Sequence, residues 1–133
     1  LIVVCDVETD SLDPKALHLI LAKDVETGEY HEFVNLHKDP SERRKFTEFA
    51  KEVTTWIGHN FISFDRHAIS RFCPDVRIDV ESILDTLIVS RTLNSQLQGG
   101  HSLASFGERF KFPKLVFKDF EAGYSQEMYT YCK

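Results

Sequence analysis

Apolar and polar positions alternate in regime along this chain, beginning with Leu1-Ile2-Val3-Val4-Cys5, an unbroken apolar run rich in β-branched side chains. Such a run predicts a strand buried on both faces, in the middle of a sheet. It passes into Asp6-Val7-Glu8 and then Thr9-Asp10-Ser11-Leu12-Asp13-Pro14, so the strand empties through acid into a loop dense in turn formers. Two more strand-like runs, Leu17 to Lys23 and Tyr30 to Leu36, flank Glu26-Thr27-Gly28-Glu29 and predict a hairpin, which completes an antiparallel meander. Asp39-Pro40-Ser41-Glu42 reads as a helix start: Asp39 is the N-cap, Pro40 the first helical residue, and Glu42 completes a capping box. Phe46, Phe49, Ala50 and Val53 then recur at helical spacing and face a core.

In the second half, strands alternate with helices. Thr54 to Ile57 is β-prone and stops at Gly58-His59-Asn60; Asp65 opens a helix with Ala68, Ile69 and Phe72 on its apolar face and Pro74 beyond its end. A short fifth strand is expected within Val76 to Leu84, and Asp85 caps a helix from Thr86 to about Leu93. Asn94 to Gly100 reads as a polar connector. Ser102 caps a helix carrying Leu103, Phe106 and Phe110, and Ser125 caps a last helix with Met128, Tyr129, Tyr131 and Cys132. Trp56 and the phenylalanine stripes are assigned to the core. From Lys111 to Phe120 lysines alternate loosely with aromatics, a mixture that suits single-stranded nucleic acid. The simpler account of that stretch is a loop whose phenylalanines pack inward and whose lysines are solvated. The expected fold class is α/β: one domain over residues 1–133, with a mixed five-stranded sheet, antiparallel strands first and parallel ones after, and helices packed on it.

Composition narrows the function classes. At 133 residues, 42% hydrophobic and 12% aromatic, the chain is long and apolar enough to bury a real core. It has neither a run of the ~20 apolar residues that a membrane span needs nor a secretory leader pattern, so a cytoplasmic protein is expected. Cys5, Cys73 and Cys132 are odd in number and widely spaced, which suits reduced thiols better than disulfides or a zinc cluster. A net charge of −5 argues against a protein that coats phosphate passively, but not against one that meets phosphate through metal ions. The chain opens without a methionine and closes at Lys133 inside an expected helix, the pattern of an excised fragment.

The acids of the first strand carry the chemistry. Asp6 and Glu8 leave the same face of a strand, their Cα atoms roughly 6.6 Å apart. Buried side by side they repel and lose hydration, a cost relieved by protonation, a basic partner or bound cations. Carboxylate oxygens suit Mg²⁺ or Mn²⁺. An acidic strand end opening into a solvated loop is the plainer alternative. Ligands in such sheets gather at the carboxyl ends of central strands, where these acids sit.

Taken together, the motifs resemble a known family. Asp6-Val7-Glu8-Thr9-Asp10-Ser11-Leu12 is similar to the first motif of the DnaQ-like (DEDD) 3′-5′ exonucleases of the ribonuclease H-like fold. His59-Asn60-Phe61-Ile62-Ser63-Phe64-Asp65 is similar to the second, and Tyr131-Cys132-Lys133 to the opening of the third. A tyrosine in the third motif marks the DEDDy branch, and the remaining spacing is most similar to the proofreading domains of podophage-type family A DNA polymerases. The resemblance implies two divalent cations, Mg²⁺ or Mn²⁺, held by Asp6, Glu8 and Asp65. It implies Tyr131 as the group that orients the attacking water, since a phenol with a pKa of about 10 is a poor base at neutral pH. It also implies contacts to a single-stranded DNA 3′ end from Thr9, Leu12, Asn60 and Phe64, with His101 as a further candidate, and a monomer joined to a polymerase domain. The family's fourth acid would fall two positions beyond Lys133, outside this sequence. A ribonuclease D-like RNA exonuclease, or a module that binds 3′ ends without cutting them, are the rival expectations.

Overall fold

The computed structural model describes residues 1–112 and 114–133. The apolar opening run forms β1 (Ile2–Thr9), which pairs antiparallel with β2 (Leu17–Asp24), itself paired antiparallel with β3 (Tyr30–Val34). Asp24 drives the turn between β2 and β3: its Oδ1 accepts from the N–H groups of Glu26 and Thr27 at 2.7 and 3.1 Å, and Gly28 takes the positive φ of 77°. After α1 (Pro40–Glu52) the chain returns as β4 (Thr55–Gly58), parallel to β1. Then come α2 (Asp65–Phe72), β5 (Ile83–Asp85) parallel to β4, α3 (Thr86–Leu93), α4 (Leu103–Arg109) and α5 (Gln126–Cys132). The five-stranded sheet has the order β3-β2-β1-β4-β5, so the acid-bearing strand is central as expected.

The start of α1 departs from its expected form in one respect. Asp39 caps it, accepting from Ser41 and Glu42 N–H at 2.8 and 3.3 Å. Glu42, however, does not close a capping box; its carboxylate accepts from Val34 N–H at 3.2 Å and tethers α1 to the end of β3.

Helices α1 and α2 cover one face of the sheet. There Val3, Cys5 and Val7 of β1 meet Ile20, Ala22, Phe33 and Trp56, with Phe46 from α1 and Ala68 and Ile69 from α2 above them. Phe46 is fully buried, its ring 5.2 Å from that of Phe33 and 6.2 Å from that of Trp56. On the other face a smaller cluster joins Leu19 and Leu21 of β2 to Met128 of α5, with Phe117, Phe120 and Tyr124 around it.

Two expectations need correction. β1 is not buried on both faces: its burial alternates, and Ile2 and Val4 are each 47% exposed. Helix α5 and the chain leading into it cover the β2 side of that face and reach β1 only near its acid end. Nor are all the phenylalanines core. Helix α4 buries none of its residues, and Phe110 and Phe112 stand out into solvent, while Phe117 and Phe120 do pack inward. The three cysteines are free thiols, and among the described residues no helix is long and apolar enough to cross a membrane.

Candidate active site

Strand parity sets Asp6 and Glu8 on the face that α5 partly covers, Asp6 opposite Leu21 and Glu8 opposite Leu19 of β2. Glu8 is buried; Asp6 meets solvent from one side and is crowded by protein on the others. Cys132, in the last turn of α5, donates its thiol proton to Asp6 Oδ2 at 3.1 Å. One ligand atom from each of Asp6, Glu8 and Cys132 lies within 4.8 Å of the others.

Asp65 is the first residue of α2, and Phe64 holds the N-cap position with no side-chain capping bond. Asp65 is only 5% exposed, and its carboxylate faces its own backbone N–H and that of Val7. Asp65 lies outside the 4.8 Å group but lines the same cleft as Asp6, a space of about 580 Å³. Burial, reinforced by the charges of Asp6 and then Glu8, pushes the Asp65 carboxyl up to about 8. Burial and the neighbouring Asp6 push Glu8 up to about 8 as well, against the pull of Lys114. Burial raises Asp6 too, with the Cys132 thiol and Lys114 holding it back. Cys132 itself is driven well above the thiol range by burial and by Asp6, so it remains a neutral donor. Three acids whose charged forms are disfavoured by dehydration and mutual repulsion make a set that divalent cations would relieve. Their oxygens suit a hard cation; a protonated thiol does not.

The walls of the cleft come from loops that the fold holds tightly. In the β1–β2 loop the Thr9 hydroxyl donates to Ser11 O at 2.9 Å, and Asp10 Oδ1 accepts from Lys15 and Ala16 N–H at 2.9 and 3.0 Å. That loop holds Leu12 at the rim of the cleft, 90% exposed. On the far side, Asp85 caps α3 as expected, accepting from Leu87 N–H at 3.0 Å. It also accepts from the N–H groups of Asn60 and Ile62 at 2.9 and 3.0 Å, which anchors the loop that carries Asn60, a residue with a φ of 64°. Gly58 allows that loop to close: a Cβ there would stand 2.6 Å from the Phe61 ring.

Asp6, Leu12, Asn60, Phe64, Asp65 and His101 thus line one cleft, with Glu8 beside Asp6 and Thr9 bracing the loop. Tyr131 is placed differently. Its ring packs against Phe117 and Phe120, centroids 5.8 and 6.0 Å away, and it lines a separate depression with Leu115, Val116 and Phe117. The Lys114 ammonium sits 4.9 Å from the centre of the Tyr131 ring and also lines the acid cleft, bridging the two. Lys114 and Cys132 are the residues here that sequence reasoning missed. Lys114 was legible only as one member of a lysine-aromatic stretch, and Cys132 only as the neighbour of a candidate tyrosine. Comparison with known proteins adds no identity: no family model and no curated protein matches the chain.

Proposed function

We propose that this chain is a metal-dependent 3′-5′ exonuclease domain of the ribonuclease H-like fold. It would release nucleoside 5′-monophosphates from single-stranded or frayed DNA 3′ ends, as the proofreading part of a cytoplasmic DNA polymerase. The observation that carries the reading is Asp65: a buried acid whose nearest charged neighbours are other acids and that shares a cleft with the acid pair on the central strand. The motif resemblance agrees with it.

In this reading Asp6, Glu8 and Asp65 hold two Mg²⁺ or Mn²⁺ ions. When bound, such ions supply Lewis acidity to the phosphate and lower the pKa of the attacking water. Leu12, exposed at the rim, presses on the terminal base; Asn60 and His101 contact sugar or phosphate, and Phe64 closes the wall behind Asp65. The proposed role of Tyr131, orienting the attacking water, requires its hydroxyl to reach the cleft past Lys114. A paired 3′ terminus must be unstacked to enter, at a cost of a few kcal/mol that falls at a mismatch, so mismatched ends are cut first.

The test follows a 5′-labelled single-stranded DNA, and an RNA of the same sequence, with Mg²⁺ or Mn²⁺. The assay uses the natural protein in full. Stepwise shortening from the 3′ end, stopped by chelator and by Asp6→Ala, is expected. Faster decay of the RNA would move the substrate to RNA, and end binding without turnover would overturn the enzymatic reading.

A further inference from the structure

The cleft that holds the acids has a second, oppositely charged wall. Arg91, in the last turn of α3, and His101 line it, as does Lys114. Ser90, the residue before Arg91, lies with its Oγ 2.6 Å from His101 Nδ1, so α3 positions both Arg91 and His101. Arg91, like Arg44, stands apart from the other arginines, and unlike Arg44 it lines the cleft. Arg71 and Arg77 are in ion pairs, and Arg43, Arg66 and Arg109 donate to backbone carbonyls. Among the described residues Arg91 makes neither kind of contact, although it shares the cleft with Asp6 and Asp65. Its position at a helix C-terminus is favourable for any cation and explains the charge, but not its place in the cleft. The neighbouring His59, held by Thr86 Oγ1 at 3.0 Å, is kept below its ordinary range by burial, with Asp85 pulling it up and Lys114 and Arg91 pushing it down. Lys114 is offset by the charges of Asp6 and Glu8, whereas among the described residues Arg91 forms no ion pair, a few side chains from acids suited to cations. An anion is what it lacks.

We propose that Arg91, seconded by His101, binds an internucleotide phosphate of the substrate strand other than the one being cleaved. This rests on the exonuclease reading and deepens it. The acid floor takes the scissile phosphate through cations, while the planar fork of Arg91, with its five N–H donors, takes a neighbouring phosphodiester directly. The substrate is then a strand long enough to present a second phosphate, and a lone 3′-terminal linkage leaves half of the cleft unused. The contact carries no base information; it sets the register of the strand against the acids.

The test is equilibrium binding of 5′-fluorescein single-stranded DNA octamers to the 133-residue chain, by anisotropy, with Ca²⁺ in place of Mg²⁺. Each octamer carries one uncharged methylphosphonate, moved linkage by linkage from the 3′ end. The wild-type protein is expected to lose about tenfold in affinity when one particular non-terminal linkage is neutralised, the usual size of a lost charged hydrogen bond. Arg91→Ala should bind the fully charged octamer about tenfold more weakly and be indifferent to neutralisation at that same linkage, with Arg91→Lys between the two. The slope of log K against log salt should fall by about 0.7 in Arg91→Ala. An Arg91→Ala profile that keeps the wild-type penalty at every linkage overturns the assignment and leaves the exonuclease reading untouched. Failure of the wild-type chain to prefer a free 3′ end over a blocked one overturns the exonuclease reading, and this inference with it.

Discussion

Asp65, at the start of α2, and Asp85, at the end of β5, are equally deep, 5% and 4% exposed, yet their surroundings are opposite. Asp85 accepts from three backbone N–H groups, those of Asn60, Ile62 and Leu87, and so binds β5, α3 and the loop after β4 into one piece. Asp65 starts a helix, faces the N–H groups of Val7 and of its own backbone, and has other acids as its charged neighbours. Burying a carboxylate is costly, and the cost is met at Asp85 by hydrogen bonds inside the protein. At Asp65 the N–H groups of Val7 and of Asp65 itself offset it only in part, and the carboxyl is still pushed up to about 8. A buried acid ringed by backbone donors reads as architecture, whereas one set among other acids reads as a site waiting for a cation.

That contrast can be broken by substitution, and the largest effect should fall on turnover. Asp6→Ala in the natural protein is expected to lower the rate of 3′-end hydrolysis by about 10³-fold, the scale of losing preorganised electrostatic stabilisation, with the melting temperature little changed. Retained turnover would show that the acids are not the reacting centre. Next in size is the stability of the two aspartates. Asp85→Ala leaves three N–H groups without their acceptor and should cost about 3 kcal/mol or more in denaturant unfolding. Asp65→Asn should be no less stable than the wild type at pH 8, because it removes a repulsive charge. If both variants lose stability alike, the distinction between them fails.

The pH dependence sharpens the same point. In the unfolded chain Asp and Glu release their protons at about 3.9 and 4.3, whereas Glu8 and Asp65 in the fold hold theirs to about 8. Between those values the unfolded state has shed protons that the folded state keeps. The stability fully present below about pH 4 therefore declines as pH rises, and is lost through pH 8. With chelator present, the melting temperature should be higher at pH 5 than at pH 8.5, and Mn²⁺ should narrow that difference by favouring the ionised acids. A melting temperature that rises from pH 5 to 8.5 in chelator would contradict the raised carboxyls. The smallest effect concerns the loop that Asp85 pins: Gly58→Ala would push a methyl against Phe61 and should cost about 1–3 kcal/mol. A neutral result would mean that the loop can shift without loss.

Most of the strands and helices were legible because their signals are local. The strand-like runs of β2 and β3 with the turn between them, the cap and proline at Asp39-Pro40, and Asp85 before α3 all act within a few residues. What was not legible depends on distant packing. The exposure of Ile2 and Val4 is decided by how much of the sheet α5 covers, and no pattern within β1 reports that. The reach of Asp85 to Asn60 and Ile62 joins residues 25 and 23 apart in sequence. At the site, spacing was enough to pair Asp6 with Glu8 on one face. It could not tell that Cys132, rather than its neighbour Tyr131, turns toward Asp6, because that depends on how α5 is rotated on the sheet. Lys114 lies in an irregular segment, where no periodicity says which way a side chain faces.

The central claim is that Asp6, Glu8 and Asp65 form a divalent-cation site. Calorimetric titration of the 133-residue chain with Mn²⁺ at pH 7, repeated in two buffers of different ionisation enthalpy, measures both uptake of the ion and release of protons. Binding accompanied by proton release, and abolished in Asp65→Asn, is the predicted result. No heat of binding at millimolar Mn²⁺, or binding of equal strength in Asp65→Asn with no protons released, would contradict it.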